Sequence, residues 1–502
     1  MKSMRSALLT GCLLLWTIST ATAQSLEPAL QLTPDERAVL SARLGDVDRP
    51  RLSVAMSGGG IRSSLFNLGV LKALYDQGLL QEADLLSSVS GGSYTLYWLY
   101  RNQLEDPGLP FGARALADEN FPRRMCEIIT AGNFVTYWDM AWAAKGGFPG
   151  LRKMYLRELV ETYGGQDSIA DPYSLQDVLP HVRSGEVPYP IINASINSGV
   201  YKKQPWASRL FEFTPLHYGN RGLGFMPWND RVQPIQTAAI TSGAALGPLD
   251  RKFFQPFPSS GPNNYVELGD GGRTENLGAI APILRGSDRV IVVDAQLDPR
   301  DEPYQAYTRL KSHLGELGLT LAVGGIERQD APSYSAFKGE VSGGSKPTEL
   351  VYLKMNVPQS LRLAFASPSA ATSTEGNAFE QSYYQALKDG AENGRWDCGS
   401  VVGLPGSFRS WLFQSTSNYL AWSEGRGTVR TLTRALPDQQ EFPKHTTMDQ
   451  SFYLDQAVAY IGLGYLVAST GEGARLLSGF AEKAGEGVTD AVSLADQGTP
   501  GE

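Results

Sequence analysis

Three short stretches of this chain hold residues that could do chemistry. They are Ser57-Gly58-Gly59-Gly60-Ile61-Arg62, Ser88-Val89-Ser90-Gly91-Gly92-Ser93, and Glu267-Leu268-Gly269-Asp270-Gly271-Gly272. Ser90 is flanked by small residues, which a serine needs where a strand turns sharply into a helix and leaves its hydroxyl exposed. At a helix N-terminus the backbone amides and the dipole favour developing negative charge. Gly58, Gly59 and Gly60 leave their amides unobstructed, which suits an oxyanion hole or a phosphate nest. Arg62 adds a fixed cation that either use would accept. Asp270, with two glycines behind it, supplies a carboxylate. Each stretch alone also reads as an ordinary turn. Together they carry more weight, because each lies at the end of a strand-like run.

Each stretch follows a strand-like run, "RLSVAM", "DLLSSV" and "NYVEL". After the first two comes a helical pattern; in "SSLFNLGVLKALYDQGLL", Leu68, Leu71 and Tyr75 share one face. Strand alternating with helix predicts an α/β fold, with a mostly parallel central sheet covered by helices and carrying insertions. In such sheets the strand ends converge on one crevice, where the three motifs would meet. "YPIINASIN", "RVIVVDA" and "ELVYLKMNV" read as further strands, the second as a central one. Residues 325–347 and 366–377, rich in Gly, Ser and Ala, read as loops. "MDQSFYLDQAVAYIGLGYLVAS" reads as a core-packed helix.

Several alternatives are excluded by pattern. The glycines at 58–60 do not satisfy Gly-x-Gly-x-x-Gly, and no Gly-Lys-Ser/Thr follows them. No His-Glu-x-x-His, paired Cys-x-x-Cys or calcium-loop spacing occurs, so no metal or cofactor is expected. A net charge of −8 without a long basic run gives nucleic-acid binding no support.

Lys2 and Arg5, a short apolar run and Ala-Thr-Ala before Gln24 read as a signal peptide over residues 1–23. The expectation is export to a periplasmic or extracellular space. Lipid attachment at Cys12 is the less favoured alternative, since apolar sequence continues past it. Residues 24–48 are a lead-in with a helix capped by Thr33 and ended by Gly45. Residues 49–483 form the catalytic domain, with an inserted cap at about 105–180, and 484–502 a mobile tail. Six aromatic residues between Phe134 and Tyr155 suit a packed subdomain core, or a lid facing lipid. Cys126 and Cys398 leave two readings open, a disulfide or two separately buried thiols.

The motif set resembles the patatin-like and cytosolic phospholipase acyl hydrolases, over about residues 50–300. "SGGGIR", "SVSGGS" and "DGG" occur in that family's order, and "SGGSYTLYWLY" looks closer to the cytosolic phospholipase branch. "AAITSGAALGP" resembles the segment preceding the patatin aspartate strand. Ser88 departs from the glycine that many members carry. The resemblance implies a Ser90–Asp270 dyad, an oxyanion loop at Gly58–Gly60, and Arg62 steadying that loop or a lipid phosphate. A carboxylate serves as the base where partial burial lifts its pKa. The substrate implied is membrane or micellar phospholipid or lysophospholipid, met by peripheral contact. Acyl transfer, other lipid esters, or a non-catalytic lipid-binding envelope protein are the alternatives. Of the four histidines, His445, late in the chain, fits a Ser-Asp-His order. The glycine loop and Asp-Gly-Gly match the dyad instead.

Overall fold

A helix, α1 (Pro34–Leu44), opens the described chain, and it starts and stops where the caps predict. Thr33 Oγ1 accepts from the Glu36 amide, Glu36 Oε2 accepts from the Thr33 amide, and Gly45 ends the helix at φ 61°. The structure, a computed structural model, describes residues 30–130, 147–164, 173–197, 206–222, 224–228, 232–243, 251–254, 265–299, 304–328, 330–365, 405–425 and 454–482, with single positions between 380 and 398 and between 442 and 452. The leader at 1–23, Trp138 and Trp142 of the aromatic stretch, residues 366–377, His445 and the tail from 484 lie outside these residues.

Strand, glycine turn and helix then occur twice: β1 (Leu52–Met56) into α2 (Gly60–Asp76), and β2 (Leu85–Val89) into α3 (Gly91–Glu105). The expected cap region is helical where described, with α4 (Phe121–Thr130), α5 (Gly147–Gly164) and α6 (Leu175–Arg183). Next come β3 (Tyr189–Ile196), the short strands β4 (Leu210–Phe213), β5 (His217–Asn220) and β6 (Gly224–Pro227), and α7 (Ile235–Ser242). A hairpin-like pair, β7 (Arg251–Phe254) and β8 (Tyr265–Asp270), precedes β9 (Arg289–Asp294). The second half adds α8 (Gln305–Glu316), β10 (Thr320–Val323), β11 (Ala336–Ser342) and β12 (Thr348–Lys354), then α9 (Pro405–Gly425) and α10 (Leu454–Ser469).

The fold is α/β, and its sheet is mixed. Strand order is β10-β11-β12-β9-β1-β2-β3-β4-β5-β6, with β8 on β3 and β7 on β8. Parallel pairing runs only through the centre, β12-β9-β1-β2-β3; both margins are antiparallel. The central strands are buried along their whole length, as helices on both faces require. The loop expected over 325–347 contains β11. Its side chains alternate between buried and exposed, a period-two signal that Gly339 and the flanking Gly/Ser residues disguise.

The feature that makes a site is where β8 lands. Strand β2 pairs with β3 as far as Val89 opposite Asn193, and there turns away. Strand β8 takes up the vacated edge of β3 from the other direction, with Asp270 opposite Ala194. The C-terminal ends of β2 and β8 therefore meet head to head, and the residue after Val89 is Ser90.

Two further devices hold this frame. Helix α10 is buried from Gln456 to Ala468 and crosses α2 backbone to backbone. A Cβ on Gly69 would lie 1.9 Å from the Ile461 carbonyl oxygen, and one on Gly464 2.1 Å from that of Phe66, so only glycine fits either place. At the opposite face, Arg285 donates from Nε and Nη2 to Glu36 Oε1 (3.0 and 2.7 Å) and from Nη2 to Glu212 Oε2 (2.6 Å), tying α1 to β4. Burial works against the Glu36 charge, but Arg285 and His217 outweigh it and hold the carboxyl well below the usual range. A disulfide joins Cys126 on α4 to Cys398 across 272 residues, which decides between the two readings of those cysteines.

Candidate active site

Ser90 sits at φ 50° and ψ −119°, one of two non-glycine residues at positive φ among those described. Such a conformation costs about 1–3 kcal/mol and persists only where the surroundings impose it. Here they do. Gly91 packs against the Gly60 carbonyl so closely that a Cβ would lie 2.1 Å from its oxygen. The Ser90 amide donates to Ser242 Oγ at 2.7 Å. Ser90 is 5% exposed, and its hydroxyl donates to Asp270 Oδ2 at 3.4 Å. That is long for such a bond, as catalytic contacts without substrate often are.

Asp270 presents its two oxygens to different partners. Oδ1 accepts from the Gly272 amide at 2.8 Å, which fixes the plane of the carboxylate and leaves Oδ2 facing Ser90. Arg309 Nη1 in turn donates to the Gly272 carbonyl at 2.9 Å, so the turn behind the aspartate is anchored to α8.

The glycine loop is pinned at its entrance. The Ser57 amide donates to Val293 O (3.0 Å), and Ser57 Oγ accepts from the Ala295 amide (2.7 Å). The Gly58 amide donates to Asn276 O at 2.9 Å, which removes it from the expected oxyanion set. The amides of Gly59 and Gly60 remain for that role. They are the cap and first residue of α2, with no carbonyl of their own helix to reach. Their φ values of 140° and 67° explain why both are glycine.

Arg62 lies beneath this loop, 0% exposed, and donates from Nη2 to the Ala295 carbonyl at 3.1 Å. A Cβ on Gly59 would come within 2.9 Å of the same nitrogen. Of its two expected tasks the geometry matches support of the loop, since a side chain with no exposed surface cannot meet a lipid phosphate. Burial pushes its pKa down, opposed by Tyr460, Asp294 and Asp298. Behind it, Lys354 Nζ donates to Asp294 Oδ2 (2.8 Å) and pairs with Asp298 Oδ2 (2.7 Å). Burial disfavours the Lys354 charge, yet these two carboxylates raise its pKa.

Three contributors escaped the sequence reading. Asn276 Oδ1 occupies the room left by two absent side chains, 2.3 Å from a Cβ on Gly58 and 2.4 Å from one on Gly272. Its Nδ2 donates to Gln296 Oε1 at 2.7 Å, so this amide links the glycine loop to the aspartate turn. Glycines on both sides were the available signal, and they read as backbone freedom rather than as space. Tyr94 on α3 and Tyr155 on α5 share a 2.7 Å hydroxyl bond. Burial raises both phenols, Tyr155 to about 12, and the Asp270 charge pushes the same way, so both stay neutral. Ser242 is the third.

The three histidines among the described residues, His181, His217 and His313, are engaged elsewhere. His181 Nδ1 meets Glu186 at 2.7 Å, His217 lies against Thr214 and Glu36, and His313 stacks on Trp206 at 4.6 Å. Ser88, expected as a departure, is fully buried with its hydroxyl 3.0 Å from that of Ser93.

Residues 52–229 match the lysophospholipase catalytic domain family, a stretch that includes the glycine loop and Ser90 and ends before Asp270. Cytosolic phospholipase A2 gamma of Mus musculus is 30% identical over 182 residues, 35% of this chain and 28% of that one. Lysophospholipase 1 of Aspergillus fumigatus is 26% identical over 215 residues, 34% of this chain and 33% of its own. The chain thus matches about a third or less of the length of these relatives. Among solved structures, human GIVD cytosolic phospholipase A2 superposes with a TM-score of 0.58 at 14% identity, covering 91% of this chain and 67% of the other. Residues 52–229 are thus similar to lysophospholipase and cytosolic phospholipase A2 sequences, and the fold is similar to that of a cytosolic phospholipase A2.

Proposed function

We propose that this protein is a serine acyl hydrolase that cleaves ester bonds of phospholipids or lysophospholipids with a Ser90–Asp270 dyad. One observation carries the reading: Ser90 Oγ and Asp270 Oδ2 lie 3.4 Å apart where two strands meet end to end. In the first step Ser90 Oγ attacks the ester carbonyl carbon while its proton passes to Asp270 Oδ2. The carbonyl oxygen becomes an oxyanion held by the Gly59 and Gly60 amides, assisted by the N-terminal end of α2. Collapse expels the alcohol, which takes the proton back from Asp270 and leaves an acyl-Ser90 ester. Water, deprotonated by Asp270, then attacks the acyl carbon, the bond to Ser90 Oγ breaks, Oγ takes the proton back from Asp270, and the fatty acid leaves. Asp270 is half-buried, and its Oδ2 faces the hydroxyl whose proton it would take.

Similarity to phospholipases and lysophospholipases supports phospholipid and lysophospholipid as the substrate class. A fluorophosphonate probe should label wild-type protein at Ser90, and lipid vesicles should release fatty acid. Ser90→Ala should lose both activities while melting at the wild-type temperature. A folded Ser90→Ala protein that still hydrolyses lipid refutes the dyad.

The same reading includes export. The leader pattern at residues 1–23 supports it, and so does the Cys126–Cys398 disulfide, a bond that persists in oxidising compartments. Mass spectrometry of protein recovered outside the cytoplasm should find Gln24 as the first residue. A diacylated peptide beginning at Cys12 would overturn that cut and put the enzyme on a lipid anchor.

A further inference from the structure

We propose that Ser242, the last residue of α7, is a positioning residue that sets the strained turn of the nucleophile. The inference rests on the hydrolase reading above and adds a residue to it.

A serine hydroxyl has one proton to give and two lone pairs to receive. In Ser242 all three are used at the elbow. Its Oγ accepts from the Ser90 amide at 2.7 Å and from the Ser93 hydroxyl at 3.1 Å, and donates to the Asn193 carbonyl at 2.5 Å. The first two partners lie on either side of the turn into α3, and the third lies on β3 opposite the last residue of β2. Asn193 Nδ2 completes the clamp by donating to Ser87 Oγ and Ser88 O, both at 2.9 Å.

Two consequences follow from this geometry. The Ser90 amide is committed to Ser242, so it points away from the place where an oxyanion forms; that task falls to Gly59 and Gly60. The positive φ of Ser90 also acquires a cause outside its own turn. Without an acceptor at Ser242, the buried Ser90 N–H has to find another partner, and rotating the peptide to reach one carries Oγ away from Asp270. Ser242 is 0% exposed, so water cannot simply take its place. Ser88, unexpected where a glycine was anticipated, ends a run of hydroxyls Ser88–Ser93–Ser242.

The test uses three variants of the full chain with a soluble nitrophenyl ester. Ser242→Ala removes the acceptor, Ser242→Cys keeps the shape with a weak one, and Ser242→Thr keeps the hydroxyl. A nucleophile displaced by an ångström loses about 100-fold in rate. Ala and Cys should therefore lower kcat and the rate of fluorophosphonate labelling together, by about 10- to 100-fold, with KM unchanged. Thr should retain most of both. If Ala fails to fold, the Cys and Thr pair decides the matter by itself. Folded Ala or Cys protein with kcat and labelling within twofold of wild type overturns the proposal, as does a folded Thr variant no better than Cys. Wild-type protein that neither labels nor turns over refutes the hydrolase reading itself, a result distinct from either.

Discussion

Replacing Asp270 with asparagine changes one atom and should remove one function. The asparagine carbonyl can take the place of Oδ1 and keep the 2.8 Å bond from the Gly272 amide. The amide nitrogen then faces Ser90 where Oδ2 stood at 3.4 Å, and it can donate but not accept. Ser90 keeps a neighbour and loses its proton acceptor. Stability should move by no more than about 1 kcal/mol, because a half-buried carboxylate is exchanged for an amide of the same shape with its backbone bond intact. The rate should fall much further. General-base assistance is worth about 100- to 10,000-fold, or roughly 2.7–5.4 kcal/mol in the barrier. The assay is initial rate against pH on a soluble ester, beside a urea melt. At every pH assayed, Asp270→Asn should stay at least about 100-fold below wild type. A well-folded Asp270→Asn protein that keeps a tenth of wild-type kcat refutes the assignment of Asp270 as the base.

Other expectations concern stability. Arg285→Met leaves Glu36 and Glu212 buried without their counter-charge, and should cost about 3–5 kcal/mol in urea denaturation. Because the Glu36 pKa is depressed in the fold, its contribution is present above the ordinary glutamate range and fades as pH falls below about 4; wild type should weaken there more steeply than the variant. Glu275 shows the opposite sign. Burial lifts its pKa to about 7 against backbone donors from Leu277 to Ile280, so stability is full below the ordinary glutamate range, declines as pH rises from there to about 7, and levels off above. Glu275→Gln should flatten that decline in pH-dependent melts, and an unchanged slope contradicts it. Reduction of the Cys126–Cys398 disulfide, or replacement of both cysteines by serine, should lower unfolding free energy by about 2–5 kcal/mol. Reduced and oxidised protein with the same urea midpoint would exclude a stabilising role.

The three motifs were visible in the sequence because their residues stand in runs short enough to read locally. Ser90 and its glycines define a turn, and "RVIVVDA" can only be a covered strand, which β9 is. What stayed hidden depends on contact between distant segments. The direction of β8 is not written in "NYVEL", so a parallel reading served as well as the antiparallel one that brings Asp270 to Ser90. The commitment of the Gly58 amide to Asn276 is invisible for the same reason, and so three glycines looked equivalent. Ser242 was quoted within a resembling segment without a task, since a buried hydroxyl has no pattern of its own. Alternation in β11 was present but short, and the glycine at its centre masked it.

The head-to-head meeting of β2 and β8 also bears on when reactivity begins. Ser90 and Asp270 are 180 residues apart, and neither acquires its setting from its own strand. Contacts of such separation follow the closure of a long loop, so the dyad is not assembled by any local step. An unfolded or partly made chain holds every residue of the proposed site and none of its geometry. On the proposed hydrolase reading, whichever side of a membrane the chain finishes folding on is the side on which it would act.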